Sequence, residues 1–319
     1  RIEAMTEGLR TFVESTESAP ASSLNEGIDD DTQARLEALG YVRAESGSPG
    51  VSPTLTRDGE HPRKHVHGVT LLSMTKSMLA NGRYVGAVRA AKALLETRPD
   101  NEYFRSLLGW SYLGLSQGER AIEIAQSLSG SSSQTGSFLL AAALTSLRAS
   151  NLTTANQLAK RAHQASPKDG RAVLLYAQTE RQLGRTERAI EILSARTSDP
   201  DFPVSLGIEL SGLQASQGNV REAQVLLAQL RRRAPLNPSV HYNFALTQRT
   251  NGEHSAALAS LERAIELSGG HYKAHLARID SLVRLGRVRE ANEGLERLRQ
   301  LSPPAALLAE ATQILESVR

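Results

Sequence analysis

The side chains of this 319-residue sequence that could do chemistry are mainly histidines and paired glutamates. His61, His65 and His67 stand in the segment HPRKHVH, a spacing that could hold a divalent metal ion. No cysteine accompanies them, so an ordinary polar linker is the simpler interpretation. The chain contains no cysteine, which excludes disulfides and thiolate chemistry and leaves the redox compartment open.

Other ionisable residues stand four positions apart, as they would on one helix face. His271 and His275 have this spacing, but Gly269 and Gly270 place His271 in a turn and no third ligand is near. Solvated helix surface is the simpler interpretation of two acidic pairs, Glu119 with Glu123 and Glu262 with Glu266. Neither a glycine-rich phosphate loop nor a serine-nucleophile elbow occurs. The sequence therefore predicts no catalytic residue, no metal site and no cofactor.

The elements that carry these residues repeat at a constant step of 34 residues. Seven copies follow without insertion, beginning at Gly68, Glu102, Gly136, Gly170, Val204, Pro238 and Tyr272. Position 20 of each repeat is alanine: Ala87, Ala121, Ala155, Ala189, Ala223, Ala257 and Ala291. A methyl group there would let two helices approach closely.

Glycine and proline punctuate the same repeat. Position 15 is glycine in five copies and serine at Ser116 and Ser150, and glycine can leave a helix with a positive φ. Position 32 is proline in four copies, where it prevents the second helix from continuing. The predicted unit is a helix of about fourteen residues, a tight turn, a second helix and a shorter turn.

This pattern resembles the tetratricopeptide repeat, whose period is 34 residues. The resemblance covers residues 68–304, and the Leu-Gly-x-x-Tyr signature is best kept at Leu108, Gly109 and Tyr112. The third and fifth copies lack that signature, and another solenoid of helical pairs is the alternative. The resemblance implies an all-α, right-handed superhelical solenoid of seven helix pairs that serves as a protein–protein interaction scaffold.

The predicted organisation has four parts. Residues 1–43 form an acidic helical leader, residues 44–65 a flexible linker, residues 66–304 the seven repeats and residues 305–319 a capping helix. The linker is predicted from its prolines and glycines. The cap is predicted from the apolar side of its last helix, formed by Leu307, Leu308, Ile314 and Leu315.

The leader carries a second resemblance. Three aspartates precede Leu36, Leu39, Gly40, Tyr41 and Val42, and residues 1–45 are similar to the C-terminal end of bacterial sulfatases and related alkaline-phosphatase-like hydrolases with a tetratricopeptide tail. An ordinary acidic capping helix is the alternative. The resemblance implies that this chain is the non-catalytic tail of an exported hydrolase, because the family's Cys/Ser-x-Pro-x-Arg nucleophile motif is absent. A periplasmic or extracellular location would then follow, and a cytoplasmic one otherwise.

Charge is divided unevenly along the chain. Residues 1–61 carry five Arg and twelve Asp or Glu, a net charge of −7, so the remaining residues carry 32 basic and 22 acidic residues, a net charge of +10. An acidic partner or the acidic leader itself would complement the repeats. No run of 18 apolar residues occurs, so no membrane span is predicted.

If the family geometry holds, positions 2, 5, 9, 12 and 13 of each first helix line a concave groove. The basic residues at these positions are Lys76, Arg148, Arg171, Arg181, Arg249, Lys273 and Arg284, against one acid, Asp280. This excess predicts a groove for an acidic or extended protein segment. The same positions hold Tyr103, Trp110 and Tyr242, which are either binding anchors or partly buried between helices.

Two other partners are disfavoured. The full set of lysines and asparagines with which some tetratricopeptide domains grip chaperone tails is not present, since position 9 of the seven repeats reads Lys76, Trp110, Leu144, Gln178, Gly212, Leu246 and Asp280. The densest basic cluster, Arg231 to Arg233, ends a helix and lacks interleaved aromatic residues, so nucleic acid binding is not expected.

Overall fold

The computed structural model describes residues 66–129 and 133–317. These residues form fifteen α-helices, and no strand occurs among them. The described residues divide into two compact units, with the boundary in the sequence between Ala165 and Ser166. The leader and the linker predicted for residues 1–65 lie outside the described residues.

Each unit is a series of antiparallel helix pairs. The first unit contains α1 (Val66–Ala80), α2 (Tyr84–Thr97), α3 (Glu102–Gly114), α4 (Gly118–Ser127), α5 (Ser133–Arg148) and α6 (Leu152–Ala165). The second contains α7 (Gly170–Gln182), α8 (Thr186–Thr197), α9 (Val204–Ser216), α10 (Val220–Arg233), α11 (Pro238–Thr250), α12 (His254–Leu267), α13 (Tyr272–Arg284), α14 (Val288–Gln300) and α15 (Ala305–Glu316). Among these described helices, none is both long enough and apolar enough to cross a lipid bilayer.

The predicted pairing of helices is confirmed. Five of the seven first helices begin at the first residue of their repeat, whereas α1 begins two residues before Gly68 and α5 three residues before Gly136. The second helices that precede a position-32 proline end two or three residues before it. The residue before a proline is biased away from the helical conformation, so the helix ends there.

The alanines at position 20 occupy the crossing of the two helices in every pair. All seven have 0% of their surface exposed. Leucines and alanines one or two helical turns further along pack around them, for example Leu261 and Ala264 beside Ala257. The small side chain is therefore what lets the helices of a pair approach closely.

The turn inside each pair uses the left-handed backbone conformation at position 15. The five glycines there have φ between 69° and 84°, and Ser116 and Ser150 both have φ of 59°. The two serines thus adopt a conformation that costs an L-residue about 1–2 kcal/mol.

Several first helices begin with a side-chain cap. Asn101, Asp169 and Asn237 accept a hydrogen bond from a backbone N–H two or three residues later, at 2.9 to 3.0 Å. His271 does the same through Nδ1, which accepts from the Ala274 N–H at 3.2 Å. These caps satisfy donors that the first turn of a helix leaves free.

A side chain at position 4 of three repeats ties each pair to the preceding one. Arg105 Nε donates to the Pro99 carbonyl at 3.0 Å, and His241 Nε2 donates to the Pro235 carbonyl at 2.8 Å. His275 Nε2 donates in the same way to the Gly269 carbonyl, at 2.9 Å. In each case the acceptor precedes the donor by six residues. We call these three contacts the connection bonds.

The last helix covers the seventh pair. Helix α15 packs on both α13 and α14. Ala311 and Leu315 are buried in this contact, and Leu308 and Ile314 pack at its edge. The apolar side predicted for this segment therefore lies against the preceding repeat.

Candidate functional site

Within the second unit the first helices of successive pairs lie side by side. Helix α7 contacts α9, α9 contacts α11 and α11 contacts α13, whereas no second helix of this unit makes a comparable contact with the next second helix. The first helices are therefore closer to one another than the second helices are, which places the first helices on the concave side of this unit. We call the positions 2, 5, 9, 12 and 13 of α7, α9, α11 and α13 the inner face of the second unit.

Two predicted basic residues of this face are exposed and ion-paired. Arg171 Nη2 lies 2.8 Å from Asp169 Oδ2, and its Nε donates to Asp169 Oδ1 at 3.1 Å. This hydrogen bonding lowers the pKa of the Asp169 carboxyl. Arg181 Nε lies 3.4 Å from Glu209 Oε1 on the neighbouring helix α9. The predicted ratio of seven bases to one acid omits both acids, because Asp169 precedes its helix and Glu209 stands at position 6.

Asp280 joins two further predicted basic residues. Its Oδ2 accepts a hydrogen bond from Arg249 Nη2 on α11 and another from Arg284 Nε at 3.0 Å. The exposed fraction of the side chain is 14% for Asp280, 22% for Arg249 and 58% for Arg284. Arg249 is therefore held in a contact between helices, whereas more than half of the Arg284 side chain is exposed.

His254 stands beside this ion-paired cluster at the start of α12. Its Nδ1 is shielded from solvent and has no hydrogen-bond partner among the described residues. Burial lowers the pKa of the His254 imidazole, and the nearby charges of Arg284 and Arg249 lower it further, while Asp280 opposes them. Folding therefore favours the neutral form of the His254 ring, mainly because the ring is shielded from solvent.

Lys273 is the fifth predicted basic residue of the second unit. It is exposed at position 2 of α13. The pKa of His271 is lowered mainly by burial, and the charges of His275 and Lys273 lower it further. Lys273 and Arg284 are the basic side chains of α13 that a ligand could reach.

The three predicted aromatic residues are each packed against protein. Tyr242 is half-buried, lies 4.7 Å from the His271 ring between centroids and has its pKa raised mainly by burial. Trp110 lies 5.9 Å from Phe138 between ring centroids. Tyr103 packs against the apolar core formed around Leu72. All three keep some exposed surface, so each combines a packing role with an accessible edge.

The first unit has the same inner row, with α1 against α3 and α3 against α5. Lys76 is half-buried on α1, and Arg148 is exposed at the end of α5. With Tyr103 and Trp110 between them, these residues form the inner face of the first unit. It carries fewer basic residues than that of the second unit.

A pocket of about 320 Å³ opens on the inner face between α9 and α11. Small, uncharged residues line it: Ser211, Gly212, Ala215, Ser216, Asn243, Leu246, Thr247 and Thr250. A Cβ atom added to Gly212 would meet no atom within 4 Å. The pocket was not predicted, although Gly212 at position 9 with Ala215 and Ser216 at positions 12 and 13 is the signal that could have indicated it.

Four of the histidines and glutamates that could have done chemistry make structural contacts instead. His271 caps α13, and His275 makes a connection bond. Glu262 lies 3.4 Å from Arg278, and Glu266 lies 2.9 Å from Arg263. Among the residues that the structure describes, no three His, Asp or Glu side chains are grouped closely enough to hold a metal ion. His61 and His65 lie outside those residues.

Two arginines of the triplet at the end of α10 pack on aromatic rings. The Arg231 guanidinium lies 4.4 Å from the centroid of Phe244, and that of Arg233 lies 4.5 Å from the centroid of Phe202. Arg233 Nη2 also donates to the Phe202 carbonyl at 2.8 Å. Cation–π contacts of this kind stabilise helix packing, so two of the three arginines have a structural role.

Comparison with known proteins agrees with this architecture. The sequence profile described as tetratricopeptide repeat matches residues 146–203, and a second profile with that description matches residues 213–272. No curated protein sequence matches the chain.

Two solved structures share the fold. A tetratricopeptide repeat protein of Parabacteroides merdae has a TM-score of 0.52 at 14% identity, over 78% of this chain and 99% of that one. The APC/C hetero-tetramer Cut9-Hcn1 has a TM-score of 0.50 at 15% identity, over 79% of this chain and 48% of its own. Sequence period, helix pairing and these matches together show that the described residues have the all-α solenoid fold of tetratricopeptide repeats.

Proposed function

We propose that the inner face of the second unit binds an extended acidic segment of a partner protein. Tetratricopeptide repeats generally mediate protein–protein interaction, and this fold is typically non-catalytic. The partner's acidic character is inferred from the charges of the inner face. The inner face of the first unit, with Lys76, Tyr103, Trp110 and Arg148, is a further contact surface under the same proposal.

The observation that carries the proposal is the excess of basic side chains on this face. It holds five basic residues, Arg171, Arg181, Arg249, Lys273 and Arg284. Three acids bond to them, Asp169, Glu209 and Asp280, which leaves two positive charges in excess. Complementary charge raises the rate of association and fixes the register of a bound segment.

The basic residues differ in how well they can serve a ligand. Arg249 is mostly buried against Asp280, so it positions helices rather than meeting a partner. Arg284 is 58% exposed and shares Asp280 with Arg249, so a ligand carboxylate can reach its free N–H groups. Lys273 is exposed on the same helix. Lys273 and Arg284 are therefore proposed as the main contacts for the carboxylates of the partner.

The test begins with random displayed dodecapeptides selected on the full chain at low salt. The expected result is an excess of Asp and Glu in the selected peptides. Peptides from this selection are then measured by fluorescence anisotropy against the double variant Lys273→Glu/Arg284→Glu. Their affinity is expected to fall by at least about tenfold, and more steeply at low salt, because unlike charges become like charges.

The control is a double variant with the same change in net charge on the second helices. Arg221 and Arg289 are exposed on α10 and α14, away from the inner face. Arg221→Glu/Arg289→Glu is expected to leave the affinity within about twofold, since screened charges at a distance act weakly. Selected peptides without an acidic excess, or equal loss in both double variants, would contradict the proposal.

The acidic leader is a second candidate occupant of the same face. Residues 1–61 have a net charge of −7 and contain the run Asp29 to Asp31. A synthetic peptide of residues 24–43 added to the anisotropy assay would compete with the selected peptides if the leader occupies this face. The similarity of residues 1–45 to the end of sulfatase-like hydrolases, whose tail would position an enzyme on a partner or an anionic polymer, stays a prediction.

A further inference from the structure

The pocket between α9 and α11 has a chemical preference opposite to that of its surroundings. We infer that it holds one uncharged, apolar side chain of the bound acidic segment. The partner motif is then an apolar residue with acidic residues on both sides. This inference rests on the proposed function. It adds a second determinant of specificity, the apolar residue of the partner by which the pocket distinguishes one acidic segment from another.

The polar groups of the lining already donate within their own helices. Each donates to a backbone carbonyl three or four residues earlier, at 2.7 to 3.0 Å: Ser211, Ser216, Asn243, Thr247 and Thr250. A hydroxyl has one hydrogen, so the four hydroxyl groups offer only lone pairs to a ligand. Asn243 keeps one N–H, next to its own acceptor oxygen.

This arrangement disfavours a carboxylate inside the pocket. A buried carboxylate needs several donors or a positive charge, and no charged side chain lines the pocket. Leu246, Ala215 and the methyl groups of the two threonines supply apolar contact instead. An apolar side chain takes no hydrogen-bond partner from the lining hydroxyls, because each of them already donates to a backbone carbonyl.

The volume suits a single large side chain. An apolar cavity of about 150 Å³ is enough to bind benzene, and this pocket measures about 320 Å³ while open to solvent on one side. The space above Gly212 is part of that volume, since an added Cβ would contact nothing within 4 Å. A leucine, isoleucine or phenylalanine side chain would therefore fit without displacing the helices.

Basic side chains on both sides of the pocket indicate where the acidic residues of the motif would lie. Arg181 on α7 and Arg284 on α13 belong to the helices that flank α9 and α11. Helices in such a row lie about 10 Å apart, and an extended chain advances about 3.3 Å per residue. A residue in the pocket would then have its acidic neighbours about four positions away in each direction.

The substitution Gly212→Leu tests the pocket without disturbing the fold. It fills the open space and replaces a helix-interior glycine by a better helix former, so the free energy of unfolding is expected to stay level or rise. The matched control is Ser205→Leu, which adds a leucine to the same inner side of α9 outside the pocket lining.

The peptides selected on the unaltered chain provide the probe. We expect one apolar residue at a fixed position relative to the acids, and its replacement by Ala or by Glu is expected to weaken binding by at least about tenfold. Gly212→Leu is expected to weaken binding to the same extent, and Ser205→Leu is expected to leave it within about twofold.

The outcomes separate the pocket from the proposed function. Acidic peptides without a fixed apolar position, or with equal affinity for the Gly212→Leu chain, would overturn the pocket and leave the acidic preference standing. The selected peptides could share a fixed apolar residue and bind the Gly212→Leu chain less tightly, yet show no acidic excess. That result would support the pocket and overturn the proposed function. Loss of affinity in both leucine variants would also overturn the pocket.

Discussion

Arg249 of α11 and Asp280 of α13 form an ion pair that links two neighbouring first helices. We expect Asp280→Ala to lower the free energy of unfolding by about 1–3 kcal/mol, because it leaves a mostly buried guanidinium without its acceptor. Urea unfolding measures this loss. The same contact makes Arg249 unsuitable for charge reversal, since a glutamate there would face Asp280.

The control for this ion pair is an exposed pair on the other side of the repeats. Arg289 and Glu293 lie 3.4 Å apart on α14, with 93% and 55% of their side chains exposed. Glu293→Ala is expected to change the free energy of unfolding by no more than about 0.5 kcal/mol. Equal losses in the two variants would show that Asp280 contributes no more than a surface charge.

Two alanines on α12 provide a matched test of the helix crossing. Ala257 is fully buried and Ala259 is exposed on the same helix. We expect Ala257→Leu to cost about 1–3 kcal/mol of unfolding free energy through overpacking. Ala259→Leu is expected to stay within about 0.5 kcal/mol. The same loss is expected for leucine at Ala189 or Ala223, and a level result at all three sites would refute the crossing role.

The two serines at position 15 of the repeat, both in left-handed conformation, offer a route to higher stability. Ser116 and Ser150 have φ of 59°, where glycine carries no Cβ penalty. Ser116→Gly is expected to raise the free energy of unfolding by about 0.5–1 kcal/mol, the strain released less the entropy that glycine adds to the unfolded chain. Thermal and urea unfolding would both report it.

The reverse change at Gly184 is the counterpart of that experiment. Its φ is 79°, and a Cβ added there would meet nothing within 4 Å. Gly184→Ala is therefore expected to cost about 1 kcal/mol through backbone conformation alone. A stabilised Gly184→Ala chain would show that this turn can change conformation without loss.

Stability should depend on pH through His254. Burial, Arg284 and Arg249 lower the pKa of its imidazole below the unfolded value of about 6.5, and Asp280 opposes them in part. Folding therefore favours the neutral ring. The stability that this preference gives is present above about pH 6.5 and is lost as the pH falls through the folded-state pKa.

We expect His254→Gln to show a smaller loss of unfolding free energy between pH 7 and pH 5 than the unaltered chain. Urea unfolding at several pH values measures the difference in slope. Parallel profiles for the two chains would mean that His254 titrates alike in the folded and unfolded states.

The helix pairs could be predicted from the sequence because their determinants recur at fixed positions. Ala257 and Gly252 each have a single role that residue type alone indicates. The charge of the inner face could not be predicted as well, since it depends on contacts between neighbouring helices. Glu209 and Arg181 come from different repeats, and the pairing of Arg249 with Asp280 also crosses between repeats.

The pocket depends on a different kind of information. Ser211 and Thr250 are polar residues by type, but each already donates its hydroxyl hydrogen to a backbone carbonyl. What such a residue offers to a ligand is therefore decided by local geometry. Gly212 was visible at position 9, and only the folded arrangement shows that the space above it is empty.

The connection bonds also bear on how this protein can change its length. Each one reaches back six residues across the junction of two repeats, as Arg105 does to Pro99. One extra residue in such a junction would separate the donor from its carbonyl, whereas inserting a whole 34-residue module would recreate the junction at both of its ends. Gene duplication in complete modules would thus keep these contacts, while a shorter insertion at one of these junctions would break its contact.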